Sequence, residues 1–157
     1  MKLLSAIVIG IAVIIAPAHA QLTANSDAPI DITGESAEFQ DNTAIWTGNV
    51  RVVQDSSILT ATKLEATLSE DGDFTSITAS GDVRYSNGKE AITGQRAVFD
   101  NVARTITMFD DVIVTQGKQV MSAGSVIYWV DSGKVKFVPA EGARIRGVFH
   151  TKTDDQS

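Results

Sequence analysis

Carboxylates are the side chains clustered tightly enough in this sequence to raise the question of chemistry. Asp71-Gly72-Asp73 and Asp110-Asp111 each put two acids within reach of one cation, but no Glu follows at the spacing of an EF-hand loop. Both groups fall where turns are expected, and Asp favours turns because its side chain bonds nearby backbone N–H groups. A two-carboxylate hydrolase needs acids facing each other across a cleft. Here the other acids alternate with apolar residues or sit in turns, and no convincing pair emerges. Nucleophilic catalysis is poorly supplied too: there is no cysteine, and His150, the one histidine beyond the N-terminal leader, lies in a polar stretch with nothing to orient it. Neither the P-loop pattern nor GxGxxG occurs, so no nucleotide site is expected. The expectation is a protein that is not an enzyme and holds no cofactor or metal.

Apolar surface is what the chain offers instead, and the elements that carry it repeat. Ile32–Phe39, Leu59–Ala66, Ile92–Phe99 and Met121–Tyr128 align at offsets of 27, 33 and 29 residues. After each comes a second segment: Ile45–Val52, Ile77–Tyr85, Ile106–Val114 and a truncated copy from Val135. Self-similarity near this period marks stacked units, each too small to bury its apolar face alone. Apolar and polar residues alternate with the period of half-buried strands, and no helical pattern of useful length appears beyond the leader. The composition is rich in Thr and Val, as strands prefer.

In the first strand type Ala37/Phe39, Leu64/Ala66/Leu68, Ala97/Phe99 and Val126/Tyr128/Val130 share one face. In the second, the inward set begins as Ile45/Thr47, Ile77/Ala79, Ile106/Met108 and Val135/Phe137 and resumes as Val50/Val52, Val83/Tyr85 and Val112/Val114, passing from odd to even positions in the first repeat and keeping its parity in the next two. The interruption falls at Gly48-Asn49, Gly81-Asp82 and Asp110-Asp111, turn-prone pairs inside a strand pattern, and it predicts a bulge or corner in each repeat. Trp46, Ile127 and Trp129 fall outside these rows and are expected on an outer face. The rows are open to two readings. Either they fill an ordinary core between two sheets, or the sheets part and the rows line a groove.

The first 20 of the 157 residues read as a cleavable secretory signal, with Lys2 ahead of the apolar run Leu3–Ala16 and a small-x-small end at Ala18-His19-Ala20. That run of 14 residues is shorter than the roughly 20 of a membrane-spanning helix. Residues 21–28 then form a flexible arm, 29–149 a single domain, and 150–157 a disordered tail. Loss of Lys2 with the leader takes the net charge from −6 to −7, the wrong sign for binding nucleic acid. With no cysteine, an exported domain of this size depends on its core, which 43% hydrophobic residues can supply.

The elements Ala28-Pro29-Ile30-Asp31-Ile32, Trp46-Thr47-Gly48-Asn49-Val50-Arg51-Val52, Gly81-Asp82-Val83 and Val114-Thr115-Gln116-Gly117, in this order behind a signal sequence, resemble the OstA-like domain of the LptA family. The resemblance spans Pro29 to Val148 and implies an all-β fold, a twisted open β-jelly-roll of two antiparallel sheets, V-shaped in section. It further implies a periplasmic lipopolysaccharide-binding bridge in outer membrane biogenesis of Gram-negative cells. Lipid A acyl chains would lie along Ile30, Ile32, Phe39, Val50, Val52, Leu64, Leu68, Val83, Tyr85, Phe99, Met108, Val112 and Tyr128. Partners implied are lipopolysaccharide itself, an inner-membrane LptC-like and an outer-membrane LptD-like OstA domain, and further copies stacked head to tail as an oligomer. Two departures bear on assembly: Asp55 stands where the family pattern runs into Gln-Gly, and the chain is short after Phe149. Without the resemblance, the same rows suit a structural or adhesive β-solenoid with a closed core and no lipid ligand.

Overall fold

The computed structural model describes residues 28–151, so the expected leader, nearly all of the arm and the last six residues of the tail lie outside the described residues. Within that range the chain forms β1 (Asp31–Thr33), β2 (Ser36–Gln40), β3 (Thr43–Gln54), β4 (Ser57–Leu68), β5 (Phe74–Ser86), β6 (Glu90–Asp100), β7 (Thr105–Gln116), β8 (Gln119–Trp129), β9 (Val135–Val138) and β10 (Arg146–Val148). Turn residues set the boundaries. Asp41 adopts φ 52° between β2 and β3, Gly88 84° between β5 and β6, and Gly117 56° between β7 and β8.

The strand order is β1-β3-β4-β5-β6-β7-β8-β10, with β2 sharing the β3 edge with β1 and β9 sharing the β8 edge with β10. Every pairing is antiparallel, and the long strands neighbour their sequence neighbours. The result is an open antiparallel meander and not the stacked coils of a solenoid. The two expected sheets are two halves of one hydrogen-bonded sheet.

Bulges create the halves. Thr47 and Val50 face Lys63 and Ala61; Ser80 and Val83 face Arg96 and Gly94; Phe109 and Val112 face Ser125 and Ala123. Each of β3, β5 and β7 therefore carries one extra residue at the expected pair. Inward residues keep one parity across it, as from Ala79 to Val83 and Met108 to Val112, and the parity shifts instead on β4, β6 and β8, from Ala61 to Leu64, Gly94 to Ala97 and Ala123 to Val126. The inserted pairs lie in the left-handed region: Gly48 and Asn49 at 77° and 44°, Gly81 and Asp82 at 82° and 45°, Asp110 and Asp111 at 65° and 53°. Gly, Asn and Asp are the residue types that visit this region most readily. Three bulges at one level on alternate strands bend the sheet along a line, so that its two halves face each other. The corner between β1 and β2 is held to the first bulge by Glu35, whose N–H donates to the Thr47 and Gly48 carbonyls at 3.0 Å each. Its carboxylate accepts from Asn49 Nδ2.

The centre between the halves is filled by Val50, Leu64, Ala66, Val83 and Val112, none more than 1% exposed. Burying a side chain such as Leu64 contributes about 2 kcal/mol. Two polar side chains enter this interior and are satisfied there: Gln54 Nε2 donates to the Ala28 carbonyl at 3.0 Å, and Ser57 Oγ lies 3.1 Å from Tyr85 Oη.

One expected row is corrected. In β3 the inward residues before the bulge are Ala44 and Trp46, not Ile45 and Thr47, because Ala44 pairs with Phe39 and Ala66, and Trp46 with Ala37 and Leu64. The tight turn at Asp41-Asn42 sets this register. Trp46 is thus an inner residue, meeting Phe39 edge to face at 5.5 Å between ring centroids. Trp129 points outward as expected, with Lys134 Nζ 5.0 Å over its ring.

Candidate functional site

Two hollows flank the packed centre. The larger, about 590 Å³, lies between the half-sheets on the β8 side. Both walls are apolar: Tyr85, Ile92, Val114 and Met121 on one half-sheet, Ala97, Ile106, Met108, Val126, Tyr128 and Phe137 on the other, with Phe149 beyond β10 at the rim. The smaller, about 420 Å³, opens at the β1 and β2 edge among Ile30, Ile32, Phe39, Ala44, Trp46, Leu68 and Phe74. Phe39 is 72% exposed even though it sits on the inner side of β2, so apolar surface continues to this edge.

The thirteen candidate residues divide into three groups. Tyr85, Met108 and Tyr128 line the larger cavity, and Ile30, Ile32, Phe39 and Leu68 the smaller hollow. Val50, Val52, Leu64, Val83, Phe99 and Val112 are at most 4% exposed, line neither space, and form the partition between them. Sequence reasoning left Ile92, Met121, Phe137 and Phe149 out of the candidate set. Their signal was present for all but Phe149: Ile92 pairs with Tyr85 and Val114, and Met121 with Val114, so strand alternation places them on the same wall.

The larger cavity also has a polar margin: Asn87, Glu90, Gln116 and Gln119. Asn87 Oδ1 accepts from the N–H groups of Lys89 at 3.0 Å and Glu90 at 2.8 Å, which fixes the turn and leaves its amide N–H₂ at the rim. Gln116 Nε2 donates to Glu90 Oε1 at 3.3 Å. An apolar chamber with amide groups at one margin suits an acyl chain joined to a polar head bearing hydroxyl or amide groups. The acids first considered for cation binding have conformational roles, Asp110 and Asp111 as bulge residues and Asp71 to Asp73 in the turn joining β4 to β5. His150 is exposed. Among the described residues both sheet edges end in short strands with no strand paired on their outer sides, β1 and β2 at one end and β9 and β10 at the other.

Residues 31–134 match the family described as LptA/(LptD N-terminal domain) LPS transport protein. The chain belongs to this family. An uncharacterised protein of Rhizobium meliloti (strain 1021) is 28% identical over 136 residues, which cover 80% of this chain and 73% of that protein. Among solved structures the fold is similar to that of LptH, the LptA homologous periplasmic component of the lipopolysaccharide transport device of Pseudomonas aeruginosa, with a TM-score of 0.69. That match has 21% identity and covers 82% of this chain and 99% of LptH. Membership of the LptA/LptD N-terminal family makes this chain a lipopolysaccharide-transport protein, and the three aligned bulges are the feature by which its sequence builds the family's open sheet.

Proposed function

We propose that this chain is a non-enzymatic periplasmic carrier that shelters lipid A acyl chains in the 590 Å³ cavity between its half-sheets. The observation that carries the reading is that cavity: two facing apolar walls that the folded chain leaves unfilled beside a core packed elsewhere to near-complete burial. Its volume lies within the 300–1,000 Å³ typical of small-molecule sites. Each buried methylene contributes about 0.8 kcal/mol, so ten methylenes of one chain contribute on the order of 8 kcal/mol before ordering costs. Full enclosure of several chains would hold the lipid too tightly to release it. Partial cover, with a similar environment in the next domain, lets lipid pass in small free-energy steps. The driving force comes from elsewhere in the machinery.

The free edges support head-to-tail pairing with OstA-like domains of an inner-membrane LptC-like and an outer-membrane LptD-like partner, or with further copies, since a heterologous pairing does not close on itself. The larger cavity lies on the β8 side and the smaller hollow on the β1 side, so stacking by the edges would place one next to the other along a filament. Photo-crosslinkers at Tyr128, Met121 and Phe137 will capture lipopolysaccharide, and those at outward Glu38 and Thr78 will not. Equal yields from both sets would refute the cavity as the site.

A further inference from the structure

The two outer faces of the bent sheet are chemically unlike. Strand register runs one row across the half-sheet that carries β1 and β10: Arg51 opposite Thr60, Thr60 opposite Arg84, Arg84 opposite Thr93, then Ile113, Ser122 and Arg146. The three arginines are exposed, and neither ion pair among the described residues, Lys63–Glu65 or Arg104–Asp131, involves them. Beside this row runs a second, in which Val53 pairs with Ile58, and Val120 with Val148. Ile113, Val120 and Val148 are 45%, 38% and 40% exposed. The acid in these two rows is Asp31, at the β1 margin. The two rows thus hold three arginines and one acid on a partly aliphatic face, bordered by exposed Asp55 at the β3–β4 turn and by Asp82, Asp110 and Asp111 along the bend, while Asp41, Asp71, Asp73, Asp100 and Asp131 gather at the far ends of the other half-sheet.

We infer that this face docks on an anionic phospholipid leaflet. Strands lie about 4.8 Å apart, so Arg51 and Arg84 are about 10 Å from each other, and Arg84 and Arg146 about 19 Å. Donors spread so widely do not converge on one small anion. A laterally extended array of phosphates meets all three at once, with serine and threonine hydroxyls between them and the aliphatic row against the interfacial region. The cluster of acids at the far end orients the molecule, presenting the arginine rows to the leaflet and keeping that end away. The inference is independent of the carrier reading, because the face lies on the reverse of the cavity wall.

The test is partitioning of the mature protein onto phosphatidylglycerol-containing and pure phosphatidylcholine vesicles, at low and high salt, for the parent and the triple variant R51Q/R84Q/R146Q. Each arginine near an anionic surface contributes roughly a fivefold gain, so the triple variant will lose about a hundredfold in partitioning at low salt. High salt will release the parent, and lipopolysaccharide capture at Tyr128 will be unaffected by the substitutions. Equal partitioning onto the two vesicle types, or a triple variant that binds like the parent, would overturn the inference. So would a salt-sensitive self-association lost in the triple variant without any vesicle binding, which would give the face to an acidic protein surface instead.

Discussion

Removing Asp82 deletes the extra residue of the β5 bulge, and the consequence follows from strand alternation. Before the bulge Ile77 and Ala79 face inward; after it Val83 and Tyr85 do. With one residue fewer, Val83 and Tyr85 turn outward and Arg84 turns into the interior. Val83 is 0% exposed, and expelling it together with Tyr85 costs about 4 kcal/mol. Enclosing an unpaired guanidinium adds about 3–5 kcal/mol. The sum, roughly 8 kcal/mol, is comparable with the whole stability of a domain, about 5–15 kcal/mol. Asp82→Gly keeps the residue count and relieves a φ of 45°, so it will be neutral or stabilising by about 1 kcal/mol. Thermal unfolding followed by circular dichroism separates the two: the deletion will leave no cooperative transition near that of the parent, and Asp82→Gly will match or exceed it. A deletion variant melting within a few degrees of the parent would refute the idea that the bulge sets the facing of the second half of β5.

Leu64→Ala, in the centre of the partition, will destabilise by about 2–5 kcal/mol in urea unfolding, since it is 1% exposed and lies away from both hollows. Gly81→Ala will cost stability twice over, through a φ of 82° and a Cβ placed 2.5 Å from Thr62 Oγ1, and its melting temperature will fall. Arg104→Ala will change stability by less than about 1 kcal/mol, because its partner Asp131 is 68% exposed and solvent screens the pair. Ile32→Pro removes a backbone donor from an edge strand and will weaken concentration-dependent association in sedimentation without unfolding the domain.

The fold was legible at the bulges. Gly48-Asn49, Gly81-Asp82 and Asp110-Asp111 stand out because left-handed backbone demands particular residue types, here placed inside otherwise regular strand patterns. Ile45 and Thr47 were misplaced because Ile45 and Trp46 are both apolar, so alternation alone does not fix the facing there. The register of the β2–β3 hairpin does. The apolar rows were readable as an inner face, but not their division into partition and cavity. Val83 and Tyr85 share strand, parity and apolar character, yet one is sealed and the other lines the chamber, because that difference depends on how far apart the half-sheets stand. The amide margin was hidden for a related reason: Asn87 and Gln116 are ordinary turn and strand-end residues until two hairpins bring them to one rim. The arginine row is dispersed over Arg51, Arg84 and Arg146 and becomes a row through register alone.

Native mass spectrometry of the mature protein with lipopolysaccharide, beside a Val114→Trp variant that fills the chamber, tests the carrier reading most directly, because Val114 lies between Ile92 and Met121 on one cavity wall. The parent will form an adduct, and the folded variant will form little or none. A parent without an adduct, or a variant that binds as well as the parent, would contradict the assignment of acyl chains to this cavity.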